Sequence, residues 1–184
     1  MGIQQIPLAS SGLTQSQLIT APNWTLLQTT SANNVTALHI TGLSGYKRYK
    51  VFVSNLLVVA NGDYPYWFLN NDLTNHIVWQ NFSDRGSTKT VTGSAGLTNV
   101  YYMTTNGWRN DSYQPCGYIE INNADSTSAK QIESAGHFYS SGGNNVHFEG
   151  FGISVIAAPI SQISVAMPSG DPFYMNQIYV YGAN

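Results

Sequence analysis

The chain has 184 residues, which is enough for one domain with a short additional arm. Charged residues make up 9% of it, against about 25% in an average globular domain, and the net charge is −2. Its seven Lys and Arg residues are dispersed apart from Lys47, Arg48 and Lys50, which excludes a large basic patch, so we expect no nucleic-acid partner. No apolar run approaches the roughly 20 residues of a membrane-spanning helix, and we expect no membrane insertion.

The first 23 residues are polar and show no hydrophobic periodicity, and Pro7 and Pro22 interrupt them. This pattern predicts an N-terminal arm or anchor over residues 1–23, followed by one β-domain over residues 24–184. No positively charged segment leads into an apolar core near the N-terminus, so a signal peptide is not expected. The product is therefore expected to be made without export.

From residue 24 onward the chain consists of short runs that alternate apolar and polar residues, separated by turn-forming clusters. No stretch of a dozen residues keeps the 3.6-residue period of a helix. These features predict an all-β fold, an antiparallel β-sandwich of about nine to eleven short strands. The runs cover residues 24–28, 35–41, 46–59, 66–69, 76–82, 89–92, 100–104, 117–121, 131–139, 146–156, 160–166 and 173–181.

The run over residues 46–59 shows the alternation most clearly. Its period of two places two sets of side chains on opposite faces of one strand. The first set is Tyr49, Val51 and Val53; the second is Arg48, Lys50, Phe52 and Ser54.

The runs 131–139 and 146–156 flank the turn-forming residues 140–144 and predict a hairpin. In such a hairpin His137 and His147 face each other, and Glu149 lies on the same face two residues further on. Two imidazoles and a carboxylate are a weak candidate metal site, or a pair that repels when protonated near pH 6. The alternative is an ordinary solvent-facing polar pair, and no cofactor is expected.

Aromatic residues near polar loops are the candidate residues for binding a glycan or a protein partner. A sugar site needs flat aromatic faces together with polar groups that contact hydroxyls. The alternative for Trp67 and Trp79 is packing in the sandwich core, and Trp108 could equally be buried against a neighbouring subunit. The candidates are Tyr66, Trp67, Trp79, Trp108 and Arg109.

Nothing in the sequence indicates catalysis. It contains no nucleophile elbow, zinc-protease motif, phosphate loop or dinucleotide fingerprint, and we expect no catalytic residue and no enzyme activity. Cys116 is the only cysteine, which excludes an intrachain disulfide, and it is expected to be a small buried hydrophobic residue. Six aspartates adjoin turn-forming residues and are expected to cap turns: Asp63, Asp72, Asp84, Asp111, Asp125 and Asp171.

Segments near the two ends of the domain carry a family resemblance. They read WTLLQTT at 24–30, LHITGLSGYKRYKV at 38–51, ISQISV at 160–165 and QIYVYG at 177–182. Together they resemble a diffuse group of tailed-phage virion proteins, in which the matching segments are framework strands of a jelly-roll-like sandwich. The resemblance implies a component of the particle exterior, made in the host cytoplasm, such as a capsid decoration or head fibre or a tail component.

This resemblance and the composition lead to a functional expectation. We expect a non-catalytic virion structural protein that attaches through its N-terminal arm to other virion proteins, such as the major capsid protein or a tail protein. Low charge, many Tyr and apolar strand faces favour a homo-oligomer, with a trimer as the favoured form. The alternatives are a tail-fibre or tail-tip domain that binds a receptor or host surface glycan, and a carbohydrate-binding module.

Overall fold

A computed structural model describes residues 23–74, 77–85, 88–94, 96–98, 100–103, 107–110 and 115–184. These residues form twelve strands and no helix, so the predicted all-β class is confirmed. Apart from Asn23, the predicted N-terminal arm over residues 1–23 lies outside the described residues. In chain order the strands are β1 (Thr25–Val35), β2 (Ala37–Thr41), β3 (Arg48–Val58), β4 (Tyr66–Leu69), β5 (Ile77–Arg85), β6 (Thr88–Gly93), β7 (Tyr101–Tyr102), β8 (Cys116–Asn122), β9 (Lys130–Tyr139), β10 (Asn145–Ser154), β11 (Gln162–Ala166) and β12 (Phe173–Ala183).

Eight of these strands form a jelly roll. β1 pairs with β12, β2 with β11, β3 with β8 and β4 with β7, all antiparallel, so the pairs are nested along the chain. Such nesting results when one long antiparallel hairpin rolls up into two facing sheets. The strands β1, β12, β3 and β8 lie side by side in one sheet, and β2, β11, β4 and β7 form the other. The predicted antiparallel, jelly-roll-like sandwich is confirmed.

The remaining four strands widen the first sheet to eight strands, in the order β1-β12-β3-β8-β9-β10-β5-β6. Among the described residues there is thus one strand more than the upper end of the predicted number, because each of the twelve runs in the sequence, including 100–104 (β7), forms a separate strand. The widening gives this sheet a broad outer face, and the candidate site lies there.

The alternation predicted for residues 46–59 appears in β3. Tyr49, Val51 and Val53 are buried in the core, whereas Arg48 and Phe52 lie on the outer face of the sheet. Strands β9 and β10 alternate in the same way. A sheet that is packed on one face and solvated on the other requires this period of two.

Strand β1 is longer than the predicted run over residues 24–28. It continues to Val35, although residues 29–34 show no clear alternation. β1 is an edge strand, and its pairing with β12 shifts register three times, the last shift lying between Ala32 and Val35. Each irregularity of this kind breaks the period of two, so the alternation pattern predicted too short a strand.

Strands β9 and β10 form the predicted hairpin. The N–H of Ser140 donates to the carbonyl of Asn144 over 2.8 Å, and that of Gly143 donates to the carbonyl of Ser140 over 2.9 Å. Gly143 has a φ of 82°, which glycine adopts without steric cost. This turn fixes the register of the hairpin, and with it the pairs of side chains that face each other on the outer face.

Lys130 is a charged residue whose side chain is fully buried. The ammonium group of Lys130 donates to the carbonyl oxygens of Ser126, Ser128 and Ile156 over 2.7, 2.9 and 2.6 Å. Desolvation lowers the pKa of Lys130 from its ordinary value. The side chain connects the β8–β9 loop to the segment that follows β10.

Candidate functional site

Three of the aromatic residues predicted to bind a glycan or partner are core residues. Trp67, Trp79 and Trp108 have 1%, 7% and 3% of their surface exposed. The alternative of core packing is therefore correct for Trp67 and Trp79, and it extends to Trp108. Because a buried indole presents no face to a sugar ring, the prediction of these three as binding residues is wrong.

Trp108 is buried because its loop is bound to the rest of the chain on both sides. Its N–H donates to the carbonyl of Asp63 over 2.8 Å, and its own carbonyl accepts from Gly62 over the same distance. Its ring stacks on Phe138 with centroids 5.0 Å apart and planes at 20°. These contacts join segments distant in sequence, whereas the local Gly- and Asn-rich composition had indicated an exposed loop.

Tyr66 and Arg109, the other two candidates, are half-buried against aromatic neighbours. The ring of Tyr66 lies 5.9 Å from Phe68 and 6.0 Å from Tyr102, and burial raises the pKa of its hydroxyl. The guanidinium of Arg109 lies 5.1 Å from the ring centroid of Tyr139. The five predicted residues therefore do not form one exposed binding surface.

The two histidines predicted to face each other do so, since His137 of β9 pairs directly with His147 of β10. Nε2 of His147 lies 3.3 Å from Oε1 of Glu149. His137 instead lies against Cys116, with Sγ 3.6 Å from each ring nitrogen. Within the described residues no three His, Cys, Asp or Glu side chains are grouped closely enough to hold a metal ion. The weak candidate metal site of His137, His147 and Glu149 is therefore not formed.

Cys116 is exposed, and its predicted burial is wrong. It begins β8, in which Ile119 and Ile121 point into the core. The period of two then places Cys116, like Tyr118, on the outer face. The alternation of β8 was sufficient to predict that Cys116 is exposed. The general tendency of cysteine to be buried gave the wrong prediction.

The predicted role of aspartates in turns holds at two positions. Oδ1 of Asp63 accepts from the N–H of Tyr64 over 3.0 Å, and Oδ1 of Asp72 accepts from that of Thr74 over 2.8 Å. Asp84, by contrast, lies within β5 opposite His147 and Lys89, so its predicted position in a turn is wrong. Asp111 lies outside the described residues.

Four aromatic side chains border a shallow depression of about 650 Å³ on the outer face, which we call the aromatic groove. Phe52 of β3 pairs with Tyr179 of β12 on one side and with Tyr118 of β8 on the other. The ring of Phe52 lies 5.7 Å from Tyr118 and 5.8 Å from Tyr181, the latter at 87°. These rings are neighbours because β12, β3 and β8 are adjacent in the sheet.

Small side chains form the floor of the aromatic groove. Ser54, Cys116 and Ala135 line it between the aromatic rings and the pair His137 and His147. Since a small side chain beside large ones leaves a depression, the alternation of sizes across β3, β8 and β9 produces the groove. Sequence reasoning missed this site because its residues come from five strands, β3, β8, β9, β10 and β12.

A cluster of charged residues lies beside the aromatic groove. The carboxylate of Glu120 is paired with Arg48 and, over 3.0 Å, with Nζ of Lys50. The same ammonium lies 3.9 Å from the ring centroid of Tyr118. Arg48 and Lys50 thus share one face, as predicted, and both are directed at Glu120. Glu133 lies opposite Glu120 on β9.

A second feature of the outer face is a set of exposed apolar side chains on β5, β6 and β10 and just after β10, which we call the apolar patch. Its members are between 37% and 53% exposed. The strand register brings them together, since Phe82 pairs with Val91 and Ile153 with Val78. The patch consists of Val78, Phe82, Val91, Phe151, Ile153 and Val155.

Comparison with known proteins finds no family model and no curated protein that matches this chain. In the part of the chain that the structure describes, no helix is long and apolar enough to cross a membrane.

Proposed function

We propose that this protein is a non-catalytic structural subunit on the exterior of a tailed-phage particle, with a capsid decoration or head fibre as the favoured location. Double-sheet jelly rolls are common in viral capsid proteins, and they also occur in proteins of other functions. The fold is therefore compatible with the proposal, and the support comes from particular surfaces.

The segments that carry the resemblance to phage virion proteins are neighbours in the fold. Residues 25–30 and 177–182 fall in β1 and β12, which pair with each other, and residues 48–51 fall in β3, which pairs with β12. Residues 38–41 of β2 pair with 162–165 of β11. The segments that match the phage pattern lie at both ends of the domain, and these ends pair with each other as framework strands should. This pairing supports the resemblance.

The observation that carries the proposal is the apolar patch. Six large apolar side chains on one face of one sheet are a larger exposed cluster than the scattered single residues of ordinary surfaces. Burying the exposed half of one such side chain stabilises an interface by roughly 1 kcal/mol. We infer that identical subunits bury the patch between them, in a homo-oligomer for which a trimer is favoured.

The proposed anchor is the N-terminal arm, residues 1–23, which would bind other virion proteins such as the major capsid protein or a tail protein. Deleting residues 1–20 and adding the truncated protein to particles that lack it tests the anchor. We expect the truncated protein to fold with the melting temperature of the full chain and to fail to attach. Attachment of the truncated protein at the level of the full chain would contradict the proposal.

A second candidate function is supported by the aromatic groove. A tail-fibre or tail-tip domain that binds a receptor or host surface glycan needs exposed rings beside polar groups, and this groove combines them. The copy number per particle distinguishes the two candidates, since a capsid decoration is present in hundreds of copies and a tail tip in a handful.

A further inference from the structure

The chemistry of the aromatic groove indicates its ligand. Among the residues that the structure describes, no Asp, Glu, Lys or Arg side chain lines the groove; its lining consists of aromatic and small residues, Val53 and two imidazoles. The nearest cation, Lys50, is paired with Glu120, and the two acids Glu120 and Glu133 balance Arg48 and Lys50. An anionic ligand would therefore find no uncompensated cation at this edge, and a neutral ligand is the complement of such a surface.

The aromatic rings of the groove favour a ligand with a flat apolar face. Phe52 is 40% exposed, and the perpendicular ring of Tyr181 contacts it without covering it as a stacked ring would. An exposed aromatic face packs against a flat apolar surface, such as the C–H face of a pyranose ring. Tyr118 and Tyr179 lie on either side of Phe52 in the same row. The ammonium of Lys50 lies 3.9 Å from the ring centroid of Tyr118 and 5.4 Å from that of Phe52, so Phe52, the most exposed of these rings, is the main stacking surface.

Hydrogen-bonding groups lie along the opposite border. The imidazoles of His137 and His147 line that border, and the hydroxyl of Ser54 lies on the floor of the groove between them and the aromatic rings. A neutral imidazole and a hydroxyl each both donate and accept, as sugar hydroxyls do. At the rim, the hydroxyl of Tyr179 donates to Oε1 of Gln177 over 2.8 Å, which holds this side chain in place.

We propose that the aromatic groove is a binding site for a neutral saccharide, with Phe52 as the stacking residue and Tyr118 as the ring that borders the sugar beside it. The groove and the apolar patch share no residue, and β10 is the one strand that contributes to both, through His147 to the groove and through Phe151 and Ile153 to the patch. The inference therefore does not depend on the proposed subunit contact. The proposed site uses rings of β3, β8 and β12 on the outer face, instead of the buried tryptophans Trp67, Trp79 and Trp108.

The test uses an array of neutral oligosaccharides, with sialyllactose as the anionic comparison, followed by calorimetry with a soluble oligosaccharide that the array retains. We expect at least one neutral oligosaccharide to bind the full chain. Phe52→Ala and Tyr118→Ala should each weaken binding at least ten-fold. Ala135→Trp fills the floor of the groove without removing a ring and should abolish binding.

The matched control is Phe151→Ala, which removes an exposed ring from the apolar patch on the same face of the same sheet. Phe151→Ala should weaken the oligomer and leave saccharide affinity unchanged. Phe52→Ala should weaken saccharide binding and leave the oligomer unchanged. The saccharide proposal and the subunit-contact proposal can therefore be refuted independently. The saccharide proposal is overturned if no neutral oligosaccharide binds, if only sialyllactose binds, or if folded Ala135→Trp binds like the full chain.

Discussion

Replacing Trp108 by alanine separates a core role from a binding role. The indole is almost completely buried and stacks on Phe138, whose ring in turn lies 6.0 Å from Phe148. Removal leaves a cavity under the loop that Gly62 and Asp63 hold in place through backbone hydrogen bonds. The expected effect is therefore a loss of folding stability.

The magnitude follows from the buried area. A tryptophan buries roughly 200 Å², which at about 25 cal/mol per Å² corresponds to about 5 kcal/mol as an upper estimate. Substitutions of buried Phe or Trp by Ala cost about 3–5 kcal/mol in measured series. We expect a loss of about 4 kcal/mol, which in a domain of this size lowers Tm by roughly 8–16 °C.

Urea unfolding followed by far-UV circular dichroism measures this loss. The midpoint should fall strongly for Trp108→Ala at an unchanged slope m, since the surface exposed on unfolding stays similar. Phe52→Ala is the control, because its ring is partly exposed and its removal should cost about 1 kcal/mol. If Trp108→Ala unfolds at the midpoint of the control, the indole is not part of the core and the reasoning is refuted.

Three further predictions concern packing, pH and assembly. In Gly150→Ala the new Cβ would overlap the hydroxyl of Tyr101 and lie 2.7 Å from Oγ of Ser134, so the substitution should cost about 1–3 kcal/mol. Gly142→Ala, whose new Cβ would meet no described atom nearer than 3.7 Å, should cost less than half of that, and equal losses in denaturant unfolding would contradict this. Burial raises the pKa of Tyr101 above its ordinary value of 10. The contribution of the neutral Tyr101 hydroxyl to folding stability is therefore fully present below pH 10 and is lost as the pH rises further. Tyr101→Phe should cost about 1 kcal/mol at pH 7, because it loses the hydrogen bond to Ser134. Between pH 10 and 11 it should lose less folding stability than the unsubstituted chain. Identical losses of the two proteins in this range would contradict the raised pKa of Tyr101. Phe151→Asp should shift the oligomer to monomer in light scattering with Tm nearly unchanged, and a retained oligomer would exclude the apolar patch as the contact.

The fold class was predictable because the alternation that defines strands is local. Strand β3 shows this, since Tyr49, Val51 and Val53 face the core as their period of two requires. Hairpin β9–β10 shows it too, because its short turn sets the register that brings His137 opposite His147. The jelly-roll arrangement was predictable only from the resemblance, since nested pairing of distant strands leaves no local pattern.

The candidate site was not predictable for the same reason. Alternation alone places Phe52, Tyr118 and Tyr179 on outward faces of their own strands. Their meeting depends on the strand order β12-β3-β8, which joins segments about 60 residues apart or more. Trp108 was predicted to be exposed but is buried, because the backbone hydrogen bonds that hold residues 107–109 come from residues 30 or more positions away.

Quantitative mass spectrometry of purified particles, combined with electron microscopy of the same particles, tests most directly whether this jelly roll is an exterior structural subunit. We expect the protein in multiples of its oligomer and density for the sandwich on the outer surface, with the apolar patch covered by a neighbouring copy. Particles that lack the protein, or that hold it as isolated monomers with the patch exposed, would contradict the account.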